Sequence, residues 1–146
     1  MALEAEVQIA TDEPGVPDKS SLRQWVRQAF PELHGSILVR LVDSPESAAL
    51  NERYRHKSGP TNILSFPLDL PPGVPNEQLG DLIICAPVVA RQAREQGKTL
   101  ENHYRHLLVH GVLHLQGHDH QSDAEAQAME AREIEILDRL GVPNPY

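Results

Sequence analysis

Apolar positions recur along the chain with two periods, and the switches between them divide it into elements. Val7 and Ile9 alternate with polar neighbours, the period of a strand with one buried face. Pro14, Gly15 and Pro17 form a loop. Leu22, Trp25, Val26 and Ala29 fall at i, i+3, i+4 and i+7, which predicts an amphipathic helix capped by Asp18 or Ser20 and followed by Pro31. Ile37 to Val42 is rich in β-branched residues and predicts a second strand. Ser44-Pro45 reads as a helix start, with serine as N-cap and proline at the first helical position. Ala48, Ala49 and Leu50 carry that helix toward Tyr54.

Asn62 to Phe66 predicts a third strand, and Pro67, Pro71, Pro72 and Pro75 an irregular loop. Leu82 to Cys85 is apolar enough for a central strand. A helix starting near Pro87 stops at Gly97, and Thr99 caps the next, which carries His103, His106, His110 and His114. The last helix opens on a capping box, Ser122-Asp123-Ala124-Glu125, presents Ile134, Leu137 and Leu140 as its apolar face, and ends at Gly141. Strands and helices are interspersed, with connections too long for simple hairpins. The pattern implies an α/β (α+β) single domain over residues 1–146, a small mixed four-stranded sheet packed with about five helices.

Composition narrows the setting. The 146 residues suit one domain, and 40% hydrophobic content supports a core. Cys85 is the single cysteine, so no internal disulfide forms; a small buried hydrophobe in a reducing compartment is expected. Glu4, Glu6, Asp12 and Glu13 occupy the first twenty residues without an apolar block, and no apolar run approaches membrane-spanning length, so a soluble cytoplasmic protein with no membrane partner is expected. A net charge of -8 argues against a general nucleic-acid coat but leaves room for one basic patch. Arg53, Arg55, His56 and Lys57 gather where the second helix ends, either as a solvated end favoured by the helix dipole or as a phosphate-binding patch. Trp25 is read as core filling. His34, His56 and His103 are read as surface residues, and Asp81 as exposed or in a turn.

The chemistry concentrates in His110-Gly111-Val112-Leu113-His114-Leu115-Gln116-Gly117-His118-Asp119-His120. His110 and His114, at i and i+4, share one helix face. Gly117 stops the helix, because glycine takes a left-handed conformation without steric cost, and the chain can return His120 to the same point. Three neutral imidazoles around one point form a zinc site with an open position, the mark of catalytic rather than structural zinc. A lone histidine on such a face is usually a satisfied core residue. Three in a Leu/Val-rich segment are hard to bury otherwise, since each ring needs hydrogen-bond partners. His106 lies one turn before His110 and is expected to support a ligand from behind or line the pocket. Asp119 is expected to hydrogen-bond a ligand imidazole or cap a turn.

The same block resembles the signature of the YbeY family, bacterial ribosomal-RNA maturation factors of zincin-like fold. The resemblance extends to Asn51-Glu52-Arg53-Tyr54-Arg55, to Pro60-Thr61-Asn62-Ile63-Leu64-Ser65-Phe66-Pro67 and to Gly80-Asp81-Leu82-Ile83-Ile84-Cys85, and past the histidines to Glu125, Met129-Glu130 and Pro145-Tyr146. His118 departs from it, standing where the family pattern has tyrosine and adding a fourth candidate ligand. The resemblance implies a single-strand-specific endoribonuclease acting on ribosomal RNA and ribosomal subunits, in small-subunit 3′-end maturation and ribosome quality control. It also implies a functional arginine at Arg55.

A zinc ion on three histidines lowers the pKa of its water to about 7 and polarises carbonyl or phosphoryl oxygens. In the peptidase motif H-E-x-x-H the glutamate after the first histidine is the general base; Gly111 occupies that place and cannot transfer a proton. Phosphodiester cleavage asks less of a dedicated carboxylate, because metal and arginine can meet the charge of the transition state. The reading is therefore one Zn2+ on His110, His114 and His120, with His110 and Arg55 catalytic and His106, Asp119, Arg53 and Lys57 in support or on the substrate. Single-stranded RNA is the expected partner and DNA is not. The alternatives are a non-catalytic, zinc-stabilised ribosome assembly factor and an atypical metallopeptidase.

Overall fold

The computed structural model describes residues 3–68, 78–118 and 121–146. Strands β1 (Leu3–Ala10), β2 (Gly35–Val42), β3 (Ile63–Pro67) and β4 (Gln78–Cys85) form one mixed sheet in the order β1-β2-β4-β3. The β1/β2 and β2/β4 pairs are parallel, and β3 runs antiparallel to β4 at the edge. Helices α1 (Lys19–Ala29), α2 (Ser44–Arg55), α3 (Ala86–Gln96), α4 (Leu100–Leu115) and α5 (Asp123–Arg139) complete an α/β architecture with the strand and helix numbers expected.

Alternation along the strands sets the two faces of the sheet. Ile37, Val39 and Leu41 of β2, Leu82 and Ile84 of β4 and Ile63 of β3 join the main core with α1, α4 and α5. Val42, Leu64 and Ile83 form a smaller cluster on the opposite face, with Leu50 of α2 and Phe66 packed against it. Leu22, Trp25, Val26 and Ala29 are the buried face of α1, and the Asp18 carboxylate accepts from Ser21 N–H at 2.7 Å. Thr99 and Ser122 cap α4 and α5 as expected.

Several expectations are corrected. β1 and β4 begin earlier than their apolar runs, so Asp81 lies partly buried inside β4 rather than at a turn. Pro67 is the last residue of β3, not loop; it pairs with Gly80 on an edge strand, where a missing N–H is tolerated. Asp43, not Ser44, holds the cap position of α2, but its carboxylate accepts from the Thr11 hydroxyl instead of capping. The buried face of α5 is Met129, Glu133, Ile136 and Leu137; Ile134 and Leu140 are only partly buried. His103 is buried rather than exposed, with Nε2 3.0 Å from the Gln92 side-chain oxygen. Cys85 is buried and unpaired. Pro71, Pro72 and Pro75 lie outside the described residues.

Candidate functional site

The site forms where α4 lies across β3. α4 is seated closely: a Cβ at Gly111 would stand 2.8 Å from Leu82 Cδ2 and 2.9 Å from Ile63 Cδ1. The position after His110 therefore faces the sheet and is full. α4 then stops as the sequence predicts. Gly117 takes φ +97, its N–H donates to His114 O at 3.0 Å, and His118 N–H donates to Leu113 O at 3.1 Å. These two bonds are the paired closure of a helix ending on a left-handed glycine.

His110 and His114 project side by side, their Nε2 atoms 3.1 Å apart and their rings edge to face at 76°. Two nitrogens bound to one tetrahedral zinc at about 2.0–2.1 Å would be roughly 3.3 Å apart, so the pair fits such an ion. Behind them lies Glu133, which pattern reading missed. Its Oε1 accepts from His106 Nε2 at 2.8 Å and His110 Nδ1 at 3.2 Å, and the Tyr146 hydroxyl donates to Oε1 and Oε2 at 3.0 and 3.1 Å. A proton held at His110 Nδ1 by the carboxylate puts the ring's lone pair on Nε2, the atom facing His114. Burial alone would raise the Glu133 carboxyl, but the hydrogen bonds from His106 and His110 outweigh it and hold the group at about 2. Burial, with Glu133 beside it, pushes the Tyr146 phenol above its ordinary range. The Tyr146 ring also meets His106 edge to face, with centroids 5.4 Å apart.

In front of the histidines opens a cavity of about 700 Å³, whose walls include Arg55, Lys57, Ser65, His110, His114 and His118. Arg55 ends α2, and its placement rests on the buried polar residues of that helix. Ser47 exchanges hydrogen bonds with the Thr61 backbone at 3.1 Å, and Asn51 Nδ2 donates to Gly59 O at 2.9 Å. His56 closes α2 in a left-handed conformation, φ 56, which turns the chain so that Lys57 reaches the same cavity. Among the described residues Arg55 makes no ion pair.

The structure thus brings together His110, His114, Arg55 and Lys57, and places His106 behind His110 through Glu133. Arg53 is not on the cavity wall; its guanidinium sits 5.3 Å from the Tyr54 ring centroid. Asp119 and His120 lie outside the described residues, and among the described residues no three His, Cys, Asp or Glu side chains cluster to hold a metal ion. A signal for Glu133 does exist in the sequence. It falls at i+4 from Met129 and three and four residues before Ile136 and Leu137, a charged residue in an apolar register.

Residues 7–141 match the family described as Endoribonuclease YbeY. An Endoribonuclease YbeY of Methylococcus capsulatus is 58% identical over 131 residues, 90% of this chain and 87% of the relative. One from Halorhodospira halophila is 53% identical over 89% of this chain and 88% of the relative, and one from Coxiella burnetii is 48% identical over 97% and 96%. A Thermotoga maritima protein solved in solution superimposes with a TM-score of 0.58 at 24% identity, covering 93% of this chain and 92% of that one, and shares the fold.

Proposed function

The chain belongs to the YbeY endoribonuclease family, and on that premise we propose that it is a single-strand-specific, metal-dependent endoribonuclease. Its substrate is ribosomal RNA, at small-subunit 3′-end maturation and in ribosome quality control, in the cytoplasm. The observation that supports hydrolysis is the convergence of His110 and His114 at 3.1 Å on the wall of a cavity that Arg55 and Lys57 also line. His110, His114 and His120 would hold zinc, which supplies a Lewis acid that acidifies water and offsets phosphoryl charge. His118, exposed on the cavity wall, is assigned to substrate contact rather than ligation.

The chain's own groups account for the rest. Glu133 fixes the His110 ring in one orientation and one tautomer. The Arg55 guanidinium is planar and unpaired among the described residues, so it can take a phosphate through two parallel hydrogen bonds. Lys57 adds a point charge beside it. Gly111 cannot be a proton acceptor, and the close seat of α4 leaves no room for one there, which disfavours a peptidase.

The test is cleavage of a single-stranded RNA and of its duplex by purified protein, with chelator and after zinc return. Single-strand cutting that stops on chelation and recovers with zinc is expected. Arg55→Lys should cut more slowly and Arg55→Ala more slowly still, with zinc content and melting temperature near wild type. Folded, zinc-loaded protein that leaves RNA intact yet binds ribosomal subunits would overturn the reading in favour of an assembly factor.

A further inference from the structure

We propose that the outer edge of β3 is a binding strip for unpaired nucleobases and the element that selects single strands. The inference rests on the endoribonuclease reading and adds a recognition surface to it. β3 is an edge strand, and the register decides which of its backbone groups are already used. Cys85 N–H donates to Asn62 O at 2.9 Å and Leu68 N–H to Leu79 O at 3.1 Å, so the 62/85 and 68/79 pairs are hydrogen-bonded. Bonded and non-bonded pairs alternate along an antiparallel ladder. Ile63, Ser65 and Pro67, paired with Ile84, Leu82 and Gly80, therefore turn their backbone groups away from β4. These three residues also line the cavity that holds His110 and His114.

The outward groups are not equivalent. The Ile63 N–H is taken by its neighbour's side chain, Asn62 Oδ1, at 2.7 Å, and Pro67 has no N–H. Ser65 alone of the three offers an N–H beside its own C=O, and among the described residues neither group has a partner. Every nucleobase presents a hydrogen-bond donor next to an acceptor on its pairing edge. In a duplex that edge is occupied by the opposite base; in a single strand it is open. A base meeting Ser65 would form two bonds whatever its identity, provided it is unpaired.

An added peptide strand fits less well, since it needs donors at successive outward positions and only one is available. Arg55 and Lys57 on the same cavity also match a polyanion.

The experiment follows the Ser65 amide in spectra of the zinc-loaded, 15N-labelled protein. The probes are a 2′-O-methylated single-stranded oligouridylate, the same strand annealed to its complement, and an uncharged extended peptide. The Ser65 signal should move and its hydrogen exchange should slow with the single strand only. Ser65→Pro removes the N–H at an edge position that carries no ladder bond, and should weaken single-strand binding about tenfold, with zinc content and melting temperature retained. Ser65→Ala keeps the backbone and should bind like wild type. If Ser65→Pro does not fold, the wild-type amide signal decides. A Ser65 signal that stays put while the Arg55 and Lys57 signals move overturns the strip, as does a loss on Ser65→Ala equal to that on Ser65→Pro. Movement with the peptide alone also overturns it. RNA that neither binds nor is cut overturns the endoribonuclease reading itself, whereas RNA that is cut without moving Ser65 overturns only the strip.

Discussion

Two substitutions at Glu133 separate what its charge does from what its shape does. The side chain is 1% exposed and accepts from His106, His110 and Tyr146. In Glu133→Gln the amide oxygen can keep both imidazole donors, and the amide N–H can face the Tyr146 hydroxyl, which rotates to accept. What goes is the negative charge behind His110 Nδ1, and with it some basicity at Nε2. Partners behind metal-binding histidines are worth about 10–100-fold in metal affinity, so Glu133→Gln should lose about tenfold. Glu133→Ala removes the acceptor altogether. Tyr146, 60% exposed, can turn to water, but the two imidazole donors are left facing a hole. At about 1–3 kcal/mol for each unsatisfied donor, less the relief of no longer burying a carboxylate, the zinc-free protein should lose about 2–4 kcal/mol. Zinc affinity should fall toward 100-fold. Competition against a chromophoric chelator measures the first quantity and denaturant titration of zinc-free protein the second. A folded Glu133→Ala protein with wild-type zinc affinity would refute the claim that the carboxylate orients His110.

Tyr146→Phe removes one donor to the same carboxylate; a few-fold loss of zinc affinity and about 1 kcal/mol of stability are expected from the same two assays. Burial, then the charges of Lys98 and His106, lower His103 from 6.5 to about 4, so its neutral form favours the fold above pH 6.5 and that contribution is lost as pH falls toward 4. The loss is about 3 kcal/mol, and His103→Leu should flatten the stability-pH curve across that window; an unchanged slope would contradict the burial argument. Gly111→Ala gains about 1 kcal/mol of helix propensity but overpacks Leu82 and Ile63 at a cost of about 1–3 kcal/mol. Adding Ile63→Val removes Cδ1 and should recover part of the cost, and strictly additive denaturation energies in that cycle would rule out the contact. His118→Ala should keep bound zinc and His120→Ala should lose it; the reverse result reassigns the third ligand.

Period and punctuation carried much of the fold into view. α1 could be read residue by residue because its buried face is wholly apolar, and the stop at Gly117 because only one local conformation closes that helix end. Misreadings arose where a polar side chain is satisfied by a partner distant in the sequence. His103 finds Gln92 on α3, and His106 and His110 find Glu133 on α5, 27 and 23 residues away. A pattern that assigns polar residues to solvent places His103 and Glu133 outside, whereas His106 and His110 are legible as site residues from their helical spacing. Ser44 reads as the cap because Asp43, the true cap position, is drawn to Thr11 just beyond the end of β1, a contact no local signal announces. Of the candidate site, the histidine pair and Arg55 are readable from spacing and resemblance; Glu133 leaves a signal in the register of α5 and Tyr146 falls within the resemblance, but what the two side chains meet needed three dimensions.

The close seat of α4 also bears on descent. A single base change can write glutamate for glycine in a gene, yet at Gly111 it would drive a carboxylate into the side chains of Leu82 and Ile63. Both neighbours, on two different strands, would have to turn aside or shrink to admit it, and shrinking either one alone opens a hole in the core. A proton acceptor at that turn of the helix therefore requires coordinated changes on β3 and β4 as well as at Gly111.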